Sequence, residues 1–323
     1  MKFIDIPEFG NPSVLTFSAT DIPVVKADQL LVKVKAIGVN RADTLQRQGK
    51  YPPPKGESTI LGLEMCGEVV EAQDSQWRGK KVFGLVAGGA YAEYCVLNTE
   101  HAFVLPDTMT PEQGAAIAEV FLTAYQSLFA IGDLQAGQTV LIHAGASGVG
   151  TAAIQLAKNA GAKVVVTVGS EQKKAFCEQL GADLAINYHE QDFVSVIKEQ
   201  VKGGVNLVID CVAGDYIHRD INCLAMDGKI VVLAIMGGRF VELLDIAKMM
   251  GKRATIQAST LRNRSDEYKS DLIEQLQQRF GAALAGGQIK PIIDSVFDWQ
   301  DVAAAHQYIE DNKNMGKVVL RVG

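Results

Sequence analysis

The 323-residue sequence predicts an α/β protein, a doubly wound parallel sheet joined to a second, mostly-β domain. Three observations carry this. From about residue 139, uniformly apolar runs such as Val164, Val165 and Val166, or Leu207, Val208 and Ile209, alternate with helical stretches. Strands buried on both faces require such runs. One strand-to-helix junction, residues 143–150, is rich in glycine. Before residue 118, by contrast, short alternating runs are punctuated by glycines, the texture of a compact antiparallel barrel.

Taken in order, residues 31–37 alternate apolar and charged, as a half-buried strand does, and residues 66–71 and 81–86 read alike. Near residue 110 the pattern changes. Thr110, Pro111 and Gln113 supply an N-cap hydroxyl, a first-turn proline and a capping-box glutamine. The apolar run through Ala115, Ile117, Val120 and Leu128 then predicts a helix. Strands are predicted at 139–143, 163–168, 185–188, 205–211 and 229–235, with helices at 148–160, 171–180, 193–202 and 217–224. Gly161 and Gly181 close two of those helices. Repeated β-α units imply right-handed crossovers. A polar helix at 266–284 and a terminal strand at 317–322 return the chain to its first domain. The expected division is residues 1–118 with 262–323, and residues 119–261.

Composition narrows the function. A formal net charge of −6 and the lack of a dense basic run argue against nucleic acid or an anionic membrane as partner. No stretch approaches about 20 uninterrupted apolar residues, and the start has no secretory pattern. The five cysteines are scattered singly, which suits reduced core thiols in a cytoplasmic protein. The five histidines show no catalytic spacing and read as surface or loop residues.

The junction is the strongest local signal. Val140, Leu141 and Ile142 run into His143 and Ala144, then Gly145, Ala146, Ser147, Gly148, Val149 and Gly150, which open a helix whose Gln155 and Lys158 face solvent. Helix-start amides and the positive end of the dipole hold a pyrophosphate at such a place. Gly145 allows the tight turn, Gly150 lets helix pack on strand, and Ser147 replaces the usual middle glycine. A Rossmann dinucleotide domain follows, a bare structural turn being the bland alternative. The next strand ends in Gly169 and Ser170 with no carboxylate at its tip, and Lys173 lies one turn on. An acid there would bind the ribose hydroxyl of NAD, whereas Lys173 with Ser170 suits the 2′-phosphate of NADPH. The loops after the later strands, with Cys211, Val212, Met236 and Gly237, leave strand C-termini, where doubly wound folds bind ligands.

These residues, together with Asn40 to Tyr51, Gly62 to Glu64, Leu122 to Tyr125 and Asn312 to Lys317, resemble the medium-chain dehydrogenase/reductase superfamily. Within it the chain is similar to the zinc-independent quinone oxidoreductases, of the tumour-suppressor-inducible type, over nearly its whole length. The resemblance implies a GroES-like catalytic domain, a homodimer, and NADPH contacts from Thr123, Tyr188 and Lys317. It also implies that Asn40 and Tyr51 lie beside the nicotinamide. The zinc enzymes of the superfamily use Cys, His and Cys as ligands, and the matching positions here are Asn40, Leu63 and Glu119. Ala42 stands where a relay hydroxyl would be. No metal is therefore expected, although Asp43, Glu64 and Glu119 could form a residual site.

Without a Lewis acid the acceptor must already be electrophilic. A quinone or enone fits, its developing oxyanion taking hydrogen bonds from Asn40 and Tyr51. Tyr51 precedes Pro52, Pro53 and Pro54, which stiffen its loop. Two rivals remain open. One is an enoyl reductase for α,β-unsaturated thioesters or ketones, for which Arg239, Arg262 and Arg264 are candidate phosphate partners. The other is a non-enzymatic NADPH- or RNA-binding protein.

Overall fold

The computed structural model describes every residue from Met1 to Gly323. The chain divides into two compact units, Met1–Leu122 with Arg262–Gly323, and Thr123–Leu261.

The first unit opens with an antiparallel ribbon, β1 (Lys2–Asp5) and β2 (Thr16–Ala19). Next come β3 (Gln29–Val39), α1 (Arg41–Arg47), β4 (Glu64–Ala72), β5 (Lys81–Leu85), β6 (Tyr94–Asn98) and β7 (Ala102–Val104). The long strand β3 pairs antiparallel with both β4 and β6, and it bulges twice against β4. Its inward residues Leu30, Val32, Val34, Ile37 and Val39 join Met65, Leu97, Val318 and Leu320 in one core. Burying each such side chain stabilises the fold by about 1.5–3 kcal/mol.

The capping box forms as expected: Thr110 Oγ1 accepts from Gln113 N, and Gln113 Oε1 accepts from Thr110 N. The helix it starts does not run on unbroken. It divides into α2 (Pro111–Gly114), a turn, α3 (Ala118–Tyr125) and a π-helical turn Gln126–Ile131. Gly114 packs against Leu105 and Cys66, with no space for a Cβ. The whole run is long and apolar enough by composition to cross a membrane, but 72% of its apolar 18-residue stretch is buried in the fold.

The second unit contains β8 (Thr139–Ile142), α4 (Gly148–Asn159), β9 (Lys163–Val168), α5 (Glu171–Leu180), β10 (Leu184–Asn187) and α6 (Phe193–Gln200). It continues with β11 (Val205–Asp210), α7 (Tyr216–Cys223), β12 (Leu224–Val232), α8 (Ile246–Lys252) and β13 (Thr255–Ala258). All six strands are parallel, in the order β10-β9-β8-β11-β12-β13. That is the Rossmann order, reversing direction at the β8/β11 edge. Alternation alone does not reveal α8 and β13, which are short and largely exposed.

The chain then returns to the first unit through α9 (Asp266–Ala285), β14 (Ile293–Asp298), α10 (Val302–Glu310) and β15 (Lys317–Arg321). Strand β15 pairs antiparallel with β3 and parallel with β14, so residues 262–323 complete the first unit's sheet.

Candidate functional site

Within the second unit, the glycine-rich turn is built by close approach. A Cβ at Gly145 would lie 2.6 Å from Val166 Cβ, because the turn rests on β9 and Gly145 N bonds to Thr167 O. One at Gly150 would lie 2.5 Å from the carbonyl oxygens of Ala144 and Gly145. Ala144 itself has φ +54, a left-handed conformation that costs a non-glycine residue energy and persists only where the surroundings fix it. Ser147 is the N-cap of α4, its Oγ accepting from Gly150 N at 3.0 Å. The serine at the middle position is thus a cap, and the first-turn amides of Gly148 and Val149 point to where an anion is favoured.

The tip of β9 forms a second rim. Ser170 caps α5 by accepting from Lys173 N, which places Lys173 in the first helical turn, half-buried. Glu171, the carboxylate nearest the tip, accepts from Asn187 Nδ2 at 3.2 Å and pairs with Lys174. Gly169 lies under the Tyr188 side chain, where a Cβ would come 2.8 Å from the phenol oxygen. The strand tip therefore presents Gly169, Ser170, Lys173 and Tyr188 together.

A third rim comes from the loops after β11 and β12. Gly237 N donates to Val212 O at 2.7 Å, Met236 N to Cys211 O at 3.3 Å, and Ala213 bridges to Gly238. Asp210, wholly buried, accepts from the amides of Val212 and Ala213 and locks the first loop. Beneath the turn, His143 bonds to Thr167 Oγ1 through Nδ1 and to Asp220 Oδ1 through Nε2, each at 2.8 Å. Thr123 is half-buried on α3, its carbonyl accepting from Ser127 Oγ.

Within the first unit, β3 runs into α1 at Asn40. Asn40 N donates to Asp43 Oδ2 at 2.8 Å, the reciprocal bond of a capped helix start. The Asn40 side chain is fully engaged: Nδ2 donates to Gly38 O and Glu64 Oε1, and Oδ1 accepts from Lys317 Nζ. Lys317 is buried and uses its ammonium on Val39 O, Asn40 Oδ1 and Glu64 Oε1. Glu64 Oε2 accepts from Glu119 N. In this arrangement Asn40 and Lys317 have no hydrogen bond left to offer an oxyanion or a phosphate. They anchor the floor on which the rest is built.

Tyr51 is half-buried, its ring 5.4 Å from the Arg262 guanidinium. Burial, and then the negative charge of Glu119, raise its phenol above the usual tyrosine range, so it keeps its proton at neutral pH. Arg262 donates from Nε to Ala87 O at 2.7 Å and from Nη2 to Gln46 Oε1 at 2.8 Å. Leu63 is buried and offers no ligand atom.

Some expectations need correction. Gln155 does not face solvent; it is buried on α4 and bonds to Thr151 O, because α4 is covered on more than one side. Lys158 pairs with Asp183 at 2.7 Å. Three of the five histidines, His101, His143 and His306, are buried rather than superficial. Each has a polar partner far away in sequence, such as Asp220 for His143 and Arg47 for His306, so no local spacing could reveal them. The sequence marks Arg262 only as a possible phosphate partner; its clamp by Ala87 and Gln46 is a tertiary product.

Comparisons with known proteins agree with this geometry. Residues 26–107 match the family model of the alcohol dehydrogenase GroES-like domain, and residues 148–278 that of the zinc-binding dehydrogenases. Quinone oxidoreductase of Homo sapiens is 32% identical over 333 residues, spanning 99% of this chain and 97% of that protein. A mycobacterial protein solved with NADPH superposes with a TM-score of 0.88 at 30% identity, over the full length of both chains. An NAD-dependent alcohol dehydrogenase reaches 0.88 at 28% identity, again over both full chains. An enoyl reductase reaches 0.87 at 26%, covering 100% of this chain and 99% of its own. With the GroES-like and Rossmann units both in place and full-length identity above 30%, the chain belongs to the quinone oxidoreductase family of the medium-chain dehydrogenase/reductase superfamily.

Proposed function

We propose that this oxidoreductase is an NADPH:quinone oxidoreductase working without a metal. The observation that carries the cofactor choice is the tip of β9. It offers Gly169, Ser170 and Lys173, while Glu171 is turned to Asn187 and Lys174. A 2′-phosphate finds a cation there and no opposing carboxylate. The turn from Gly145 to Gly150 suits the pyrophosphate, and Cys211, Val212, Met236 and Gly237 with Tyr188 and Thr123 form the remaining cofactor contacts. Bound NADPH would supply the hydride.

The zinc named in one family model does not fit the residues present. Leu63 has no donor atom and the Asn40 amide is saturated, so no step is routed through a metal. The chain's own groups then favour acceptors needing no Lewis acid, and quinones are such acceptors. Tyr51 keeps its phenol proton and can donate to the oxygen that gains negative charge. Asn40 acts by holding Glu64 and Lys317 in place.

Homodimer formation is part of the proposal. Phe240 is 76% exposed, Leu243 65% and Met250 74%, and β13 is an edge strand of the same unit's sheet. Exposed apolar surface and an open strand edge both suit self-pairing across a two-fold axis. Phe240→Asp with Leu243→Asp should convert a dimer to a monomer in sedimentation velocity. Five cysteines, none in a disulfide, agree with a reducing, cytoplasmic setting.

The deciding experiment is steady-state oxidation of NADPH and of NADH with an ortho-quinone, a para-quinone and a crotonyl thioester. Quinone turnover with NADPH preferred supports the proposal. Turnover of the thioester alone would establish the enoyl reductase reading, which the enoyl reductase neighbour favours. Arg239 lies over the Phe240 ring and Arg264 over the Tyr268 ring.

A further inference from the structure

Under the glycine-rich turn of the second unit lies a cluster of buried polar side chains, His143, Thr167, Asp210 and Asp220. His143 Nδ1 is 2.8 Å from Thr167 Oγ1, and its Nε2 is 2.8 Å from Asp220 Oδ1. A hydroxyl can donate or accept, so the bond to Thr167 forms with either imidazole tautomer. The ring also meets Phe193 and Tyr216 edge to face, with centroids 5.1 and 4.9 Å away. A ring nitrogen of His143 and carboxylate oxygens of Asp210 and Asp220 lie within 4.8 Å of one another.

Each member holds a different piece of backbone. His143 N donates to Ile209 O of β11, and the residue leads directly into Ala144 and Gly145. Thr167 grips the turn twice, its carbonyl accepting from Gly145 N at 3.0 Å while its hydroxyl meets the His143 ring. Thr167 also lies in β9, two residues before Gly169 at the strand's tip. Asp210 fixes the loop after β11 through the amides of Val212 and Ala213, and Asp220 brings in α7. Ala144, at φ +54, therefore has a pinned neighbour on each side.

The cluster is poorly made for stability. Asp220 Oδ2 is buried and has no hydrogen-bond partner. Such an atom is costly, and apolar side chains of matching shape would serve folding as well or better. Polar groups kept in place against that cost belong where function needs a fixed geometry.

We propose that His143, with Thr167 and Asp220, positions the dinucleotide site, holding the turn, the tip of β9 and the loop after β11 in the geometry that receives the cofactor. These are positioning residues, acting through the backbone they hold. The inference deepens the reading of this turn as the pyrophosphate site and rests on it. NADPH and NADH share the pyrophosphate, so loss of the cluster weakens both alike, which loss of the Lys173 charge does not. The rate at saturating cofactor is untouched.

The test is a triple variant, His143→Phe with Thr167→Val and Asp220→Ala. Phenylalanine keeps the edge contacts with Phe193 and Tyr216, its added volume offsets the smaller alanine, and the bonded polar atoms leave together. Urea unfolding, isothermal titration of NADPH and NADH, and steady-state turnover of an ortho-quinone are measured. The urea midpoint should equal or exceed that of wild type. Affinity for both cofactors should fall ~10-fold or more as Ala144 relaxes, with kcat at saturating NADPH within about twofold. Thr167→Val alone should weaken both cofactors, and Thr167→Ser, which keeps the hydroxyl, should bind them as wild type does. A triple variant that unfolds or loses stability would show a purely structural cluster and overturn the inference. So would undiminished affinity, a fall in kcat without one in affinity, or equal binding by the two Thr167 variants. A wild type that binds neither NADPH nor NADH would instead remove the pyrophosphate reading, and this inference with it.

Discussion

Lys317 Nζ lies 2.6 Å from Glu64 Oε1, and both side chains are buried, 253 residues apart in sequence. The pair ties β15 to β4 across β3 and holds Asn40 between them. Removing one member leaves the other charge buried and unpaired, which costs about 3–5 kcal/mol. Lys317→Met should lower the unfolding free energy from urea titration by that amount. Glu64→Gln in the same background should restore part of it, and failure to recover any stability would show that the pairing is not the cause.

Lys173 tests the cofactor assignment. One charged hydrogen bond contributes about 1.5–3 kcal/mol, or roughly a tenfold to hundredfold preference. Lys173→Ala should raise the apparent KM for NADPH by about that factor and leave NADH almost unaffected. A change below about threefold would remove the lysine from the 2′-phosphate site.

Gly145→Ala places a methyl 2.6 Å from Val166 Cβ, against a strand that cannot retreat without breaking β8/β9 pairing. We expect a folded protein that has lost most dinucleotide affinity, measured by isothermal titration. Undiminished binding would mean that the turn is structural only.

His306 governs acid stability. Burial, helped by the Arg47 guanidinium, holds its imidazole down from 6.5 to about 3. Above pH 6.5 neither the folded nor the unfolded chain is charged there. As pH falls, the unfolded chain takes up a proton that the folded chain refuses until about pH 3. Stability is thus lost on acidification at up to ~1.4 kcal/mol per pH unit across that window. Asp43 acts in the opposite sense: its raised carboxyl favours the fold at low pH and costs stability as pH rises from about 4 to about 6. His306→Gln keeps an acceptor for Arg47 and a donor for Tyr91. Urea midpoints at pH 7, 5 and 4 should decline less steeply in that variant, and parallel declines would assign acid sensitivity elsewhere.

Much of the nucleotide half is legible in the sequence. The boundaries of β9 and α5 fall where the apolar run and Gly181 put them, because short-range patterning and capping decide those elements. Strand β3, α1 and the final strands are less legible. Strand β3 extends past its alternating segment because β4, β6 and β15 all pair with it. Residues 293–298 form a strand only because β15 is there to receive them.

Alone, the sequence determined the order of strands and helices from β8 to β12, the glycine-rich turn and the lack of an acid at the tip of β9. These depend on neighbours within a few residues, where periodicity, glycine geometry and helix capping act directly. Tertiary structure decided which polar groups are buried and what they face: Lys317 with Glu64, His143 with Asp220, Arg47 with His306, and Asp43 in the field of Arg262. Burial multiplies the cost of an unpaired charge, so these partners must meet. Nothing local in the chain records that residues so far apart in sequence come to lie a few ångströms from one another.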